Sequence, residues 1–132
     1  MYKIILLSAL LLSTSVSADP LDCKNIVASQ QIDMCAKAAM ESADSQLNIS
    51  YKKLMARVKS QYQMDPAQGE KFIAKLKESQ RFWIKLRDTD CPLEAFEIEV
   101  GKPAYETTIS NCIARMSLER SVYLDKILPD VY

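Results

Sequence analysis

Between Ser29 and about Tyr62 the chain carries neither proline nor glycine, and its apolar residues recur at intervals of three and four. Ile32, Cys35, Ala36, Ala39, Met40, Ala43, Leu47, Tyr51, Leu54, Met55, Val58 and Tyr62 form that series. Such spacing lines one side of a helix and has no reading as a strand, where the period would be two. At the helical rise per residue the segment spans roughly 50 Å, and Ser29 supplies a cap for its start. A chain of 132 residues built around one such helix is a single small domain.

Asp65 and Pro66 then provide an N-cap and a proline for the first helical position, opening a second helix with Phe72, Leu76, Trp83 and Leu86 or Arg87 inward. Cys91-Pro92 is expected to stop it. From Pro92 to Glu106 there is no helical stripe, and Pro92, Gly101 and Pro103 interrupt the run. This stretch reads as the one substantial loop, with a short extended piece at Phe96–Val100 where apolar and acidic residues alternate. A third helix is expected from about Thr108 to near Pro129, burying Ile109, Cys112, Ile113, Met116, Tyr123 or Leu124, Ile127 and Leu128. The fold class that follows is all-α. It is a three-helix antiparallel bundle with a long first helix, one acidic loop between helices two and three, and two disulfides.

Two disulfides are expected because the chain reads as exported. Met1 to Ala18 has Lys3, an apolar run from Ile4 to Leu12, and small residues Val16 and Ala18 ahead of Asp19. That is the pattern of a secretory signal peptide, too short to span a membrane. The residues before Cys23 are not those of a lipid-attachment site, so the mature domain, 19–132, is expected in the periplasm or secreted, without an anchor. In an oxidising compartment Cys23, Cys35, Cys91 and Cys112 pair. Three connectivities are open, of which the local pairs Cys23–Cys35 and Cys91–Cys112 are favoured.

The composition excludes several chemistries. There is no histidine, hence no histidine-based triad, dyad or zinc site, and Gly69 and Gly101 alone cannot build a phosphate-binding loop. No catalytic residue, metal site or cofactor is indicated. Ser50-Tyr51-Lys52-Lys53 matches an S-x-x-K motif but lies in mid-helix without the companion elements. Asn48-Ile49-Ser50 is a glycosylation sequon in the same unsuitable place. Glu94, Glu97 and Glu99 could in principle act as glycosidase carboxylates, but a narrow bundle offers neither a sugar groove nor a buried acid.

Net charge after removal of Lys3 is −1, which implies neither nucleic acid nor an anionic membrane as partner. Locally the charge is uneven: Lys52 to Arg87 carries +7, and Asp88 to Glu106 carries −5. Polar residues also sit inside the apolar stripes. Asp44, Asn48 and Tyr51 accompany Leu47, Gln80 and Arg87 accompany Trp83, and Arg120 lies near Met116 and Tyr123. Buried polar groups need partners, so an interhelical network from Arg87 or Arg120 to Asp44 and Asn48 is expected to fix helix register.

Three ordered blocks carry a family likeness. Asp44-x-x-Leu47-Asn48-x-x-Tyr51 is followed by Leu76-x-x-x-Gln80-Arg81-x-Trp83-x-x-x-Arg87-Asp88-x-x-Cys91, and then by Cys112-x-x-x-Met116-Ser117-x-x-Arg120-x-x-x-Leu124. This pattern resembles the LprI-like lysozyme-inhibitor domain family of exported bacterial proteins, over nearly all of the mature chain. The resemblance implies a helical periplasmic or secreted protein that binds lysozyme and blocks cell-wall hydrolysis. Muramidases are generally basic and hold two carboxylates in a cleft, so acidic groups on a protruding segment suit an inhibitor. Glu94, Glu97 and Glu99, with Phe96 and Tyr105 as aromatic anchors, are the candidate partner-binding residues. The alternative is a periplasmic structural or regulatory interaction module that binds through Lys71, Lys75, Lys77, Arg81 and Lys85.

Overall fold

The computed structural model describes residues 21–129. The signal-peptide reading of 1–18 lies outside them. Three helices follow in order: α1, Ser29–Gln61; α2, Pro66–Glu94; and α3, Pro103–Asp125. They form an up-down-up bundle, in which α1 and α3 run parallel and α2 runs against both. The pairings give the directions: Ser50 meets Ser121 and Arg57 reaches Leu124, whereas Asp44 meets Arg87.

The tightest contact is between α1 and α3. The sequence reason is size, because Ala36, Ala43 and Ser50 on α1 and Ala114, Ser117 and Ser121 on α3 are all buried. Small side chains let two helix backbones approach closely. Toward the other end Leu47, Leu54, Val58, Ile73, Leu76 and Leu124 form the main apolar core. Tyr51, Met55, Tyr62, Phe72, Trp83, Ile127 and Leu128 pack around it. Large apolar residues therefore gather where α1 and α3 end and α2 begins. The opposite end, with a core of small residues, is closed covalently by Cys23–Cys35 and Cys91–Cys112. These are the two local pairings.

Boundaries differ from the sequence expectation at three places. Ser29 is the first residue of α1 and not its cap; Ala28 holds that position, and the Gln31 side chain accepts from the amides of Val27 and Ala28 at 2.7 and 3.0 Å. Asp65 caps α2 as expected, its carboxylate accepting from the Gln68 amide at 3.1 Å. The helix does not stop at Cys91-Pro92, however, but runs to Glu94. Proline so near a helix end removes one hydrogen bond, and the burial of Cys91 and Ala95 on either side holds the last turn in place. At the far side Pro103 occupies the first helical position of α3, so that helix begins five residues before Thr108.

The loop is consequently short, residues 95–102, and built of turns. Ile98 donates to the Ala95 carbonyl at 2.9 Å and Lys102 to that of Glu99 at 3.2 Å, so Phe96–Val100 is not extended. Gly101 has φ +85°, a left-handed conformation that makes glycine the natural residue there. Gly69 answers a different need: a Cβ at this position would stand 3.0 Å from Cβ of Tyr62, where α1 hands over to α2.

Candidate functional site

The polar residues of the three sequence blocks converge on α2. Trp83 is half-buried between two guanidinium groups, with Arg87 at 5.3 Å and Arg120 at 5.7 Å from its ring centroid. Arg120 also lies 4.9 Å from the Tyr123 ring. Its Nε donates to Gln80 Oε1 at 3.1 Å and its Nη2 to Ser79 Oγ at 2.8 Å. Burial disfavours the charged form and lowers the Arg120 pKa, with the Tyr123 hydroxyl opposing. A guanidinium remains protonated nonetheless, so the site is permanently cationic. Arg87 donates to Asp88 Oδ1 at 2.9 Å and reaches Asp44 Oδ1 on α1 at 3.4 Å. The Arg87 side chain is 14% exposed while Asp44 is 53% exposed, so the link runs from the interior outward.

Gln80, Trp83, Arg87, Asp88, Asp44 and Arg120 therefore form one array that ties all three helices together. Leu47 belongs to the core and Tyr51 packs against it. Asn48 does not join the network. It is exposed and lines a groove of about 610 Å³ with Asp44, Arg87, Met40, Ile49 and Ile113. Of the two inward alternatives on α2, Arg87 turns in and Leu86 stays out. On α3, Leu124 is buried and Tyr123 is exposed.

A second polar system escaped the sequence reading. Arg57 Nη2 donates to the Leu124 carbonyl at 2.8 Å and to the Ile127 carbonyl at 3.1 Å, so a side chain of α1 satisfies the free end of α3. Ser50 Oγ lies 2.7 Å from Ser121 Oγ and donates to Asp125 Oδ2 at 3.1 Å. The available signal was position: Arg57 sits between Leu54 and Val58 of the buried stripe, where a solvated arginine is out of place.

The acidic candidates do not cluster. Glu94, at the end of α2, pairs with Arg115 of α3. Glu99 pairs with Lys102 at 3.6 Å, Glu97 is exposed, and Tyr105 is half-buried in the first turn of α3. Phe96 is 77% exposed and Val100 75%. What the loop presents is two exposed apolar side chains and the exposed carboxylate of Glu97. Among the described residues no group of three metal-ligating side chains occurs, and no helix is long and apolar enough to cross a membrane. The carboxylates with perturbed pKa values are both lowered. The Asn25 amide and the Lys24 backbone act on Asp22, and Lys75 at 3.0 Å acts on Glu78. Neither has the raised pKa of a general acid.

Comparison with known proteins bears on the whole arrangement. The chain is 30% identical over 111 residues to an uncharacterized protein of Rhizobium meliloti (strain 1021), covering 81% of this chain and 78% of that one. It is also similar to the crystal structure of a DUF1311 family protein from Pseudomonas putida KT2440, with a TM-score of 0.67 and 29% identity over 76% of this chain and 93% of that chain. The model of the lysozyme inhibitor LprI family matches residues 23–124, from the first cysteine through the last buried leucine of α3. With the three motif blocks, both disulfides and the stacked arginines inside that span, the chain belongs to the LprI lysozyme inhibitor family.

Proposed function

We propose that this protein is an exported inhibitor that blocks a cell-wall muramidase by protein–protein contact, without catalysis of its own. The family match over residues 23–124 carries this reading. Two disulfides in so small a domain support an oxidising compartment, the periplasm or the exterior. For the contact surface we favour the 95–102 turn and its flanks. Phe96 and Val100 are mostly exposed apolar groups of the kind that fill a partner's pocket, and Glu97 adds charge with no ion-pair partner among the described residues. Glu94 and Glu99 contribute to the negative field although each is paired locally. Tyr105, half-buried in the first turn of α3, is the second aromatic group of this surface. The stacked arginines act structurally, holding the end of α2 so that the turn is presented in one conformation.

The test is a titration of purified, oxidised protein into a muramidase assay on bacterial cell walls at low and moderate salt. Stoichiometric inhibition is expected. Phe96→Ala is expected to weaken it about tenfold or more. Glu97→Gln should weaken it less and flatten its salt dependence. Absence of inhibition across muramidase classes would overturn the reading and favour the structural or regulatory module. In that case binding to an envelope partner should depend on Lys71, Lys75, Lys77, Arg81 and Lys85 and survive both loop substitutions.

A further inference from the structure

Arg120 is a partly buried charge without an anion. Its Nε and Nη2 donate to Gln80 Oε1 and Ser79 Oγ at 3.1 and 2.8 Å, and both acceptors are neutral. Among the described residues no carboxylate lies within ion-pair distance of it. The acids closest in sequence to Arg120, Ser79 and Tyr123 are engaged elsewhere. Glu78 pairs with Lys75 at 3.0 Å, Glu119 pairs with Arg115 at 3.6 Å, and Asp125 accepts from the Ser50 hydroxyl at 3.1 Å. The Trp83 and Tyr123 rings beside the guanidinium soften its charge but do not cancel it. Burial works against the charged form, yet a guanidinium does not shed its proton in a protein, so it gains most from a counter-ion.

The unused part of the group has a definite shape. A guanidinium offers two forks, the Nε–Nη2 edge and the Nη1–Nη2 edge. Gln80 and Ser79 occupy the first, while Nη1 makes no hydrogen bond among the described residues. The second fork matches both oxygens of a carboxylate. Arg120 also lines a pocket of about 170 Å³ between α2 and α3, with Phe72, Leu76, Tyr123, Leu124 and Ile127 as its apolar walls. That volume is close to the roughly 150 Å³ of an apolar cavity that holds benzene. Lys75 adds a second cation at the opening, where it is 83% exposed. Apolar walls of this size beside a permanent cation select a ligand with a ring-sized apolar body and one carboxylate.

We propose that this pocket binds a monocarboxylate with a ring-sized apolar body, the body seated between α2 and α3 and the carboxylate on the Nη1–Nη2 edge of Arg120. Two sources share that chemistry: a free aryl or branched-chain acid, and the carboxy-terminal residue of a peptide. The proposal is independent of muramidase binding, because the pocket is lined by none of the residues of the 95–102 turn.

Trp83 is the one tryptophan of the chain and its ring centroid lies 5.7 Å from Arg120 Cζ, so its fluorescence reports the site. Titration of the oxidised full chain with hydrocinnamate is expected to saturate, with a dissociation constant around the millimolar range. Propionate, which lacks the ring, and hydrocinnamyl alcohol, which lacks the charge, should each bind about tenfold more weakly or worse. N-acetyl-phenylalanine separates the sources. If it binds tighter than hydrocinnamate and its amide does not bind, the ligand is a peptide terminus; the reverse order identifies a free acid. Ser79→Glu, at an exposed position, brings a carboxylate to Arg120 from within the chain. It should weaken hydrocinnamate about tenfold or more while melting no lower than the parent protein, and the uncharged Ser79→Gln should weaken it far less. No saturable uptake, equal binding of the alcohol and the acid, or a folded Ser79→Glu variant that binds as tightly as the parent would each overturn the proposal.

Discussion

Two arginines do different structural work, and the difference is testable one residue at a time. Arg57 closes the carbonyl end of α3 with two hydrogen bonds from one nitrogen, at 2.8 and 3.1 Å. Its truncation leaves the Leu124 and Ile127 carbonyls without that donor, so Arg57→Ala is expected to cost about 2 kcal/mol in denaturant unfolding. Arg120 contributes through its plane as well as its charge, stacking on Trp83 and Tyr123 while donating to Gln80 and Ser79. Arg120→Lys keeps the charge but loses the fork, and is expected to recover less than half of the about 1–3 kcal/mol lost in Arg120→Ala. Asp22 carries a pH dependence. Its pKa is lowered by the Asn25 side chain and the Lys24 amide, so the turn it forms is held above the ordinary carboxylate pKa of 3.8 and released as pH falls through the lower folded value. Protection factors of the Lys24 and Asn25 amides should fall in that acid window, with those of the helices unaffected.

At the scale of elements, α2 depends most on ties at its ends. Its contacts with α1 and α3 are less extensive than those between α1 and α3, and much of its C-terminal half faces solvent. Cys91–Cys112 joins that half to α3 across a separation of 21 residues, with both cysteines buried. The pair Cys91→Ala/Cys112→Ala is expected to lower stability by about 3 kcal/mol. Cys23–Cys35 instead anchors an exposed lead-in to α1, residues 21–28. Removing it should cost less in global unfolding and appear mainly as faster exchange in that segment. Gly69→Ala offers a further test, because alanine is the better helix former by about 1 kcal/mol. The 3.0 Å approach to the Tyr62 Cβ opposes that gain, and net destabilisation is expected in the same unfolding experiment.

At the scale of the molecule, the parallel pair α1–α3 is a spine and α2 is strapped along it, with the apolar core at one end and both disulfides at the other. The turn at 95–102 projects from the disulfide end, where covalent closure replaces the large core residues found at the opposite pole. Phe82 lies about 18 Å of helical rise before Glu94, where α2 ends ahead of Phe96. Phe82→Lys, at an exposed position on α2, is therefore expected to leave muramidase inhibition unchanged in the cell-wall assay.

The amino-acid sequence alone carried the three helices, the capping of α2 by Asp65 and Pro66, and the placement of the four cysteines at one end. Each follows from local periodicity or from residues whose backbone preferences act over one turn. The motif blocks were equally legible as a likeness, and they span the region that the family model matches. Helix ends beyond one turn were not legible. Pro92 and Pro103 look alike as breakers, yet one lies inside the last turn of α2 and the other opens α3, because burial of Cys91 and Ala95 and the bond to Cys112 outweigh one missing hydrogen bond. Partner choice was likewise tertiary. Arg120 meets Gln80 and Trp83, and Arg57 meets a carbonyl 67 residues away, because small residues let α1 and α3 close together and fix which faces are left for α2. Periodicity states which side of a helix is apolar. Only packing decides which helix that side meets and which polar groups are carried in with it.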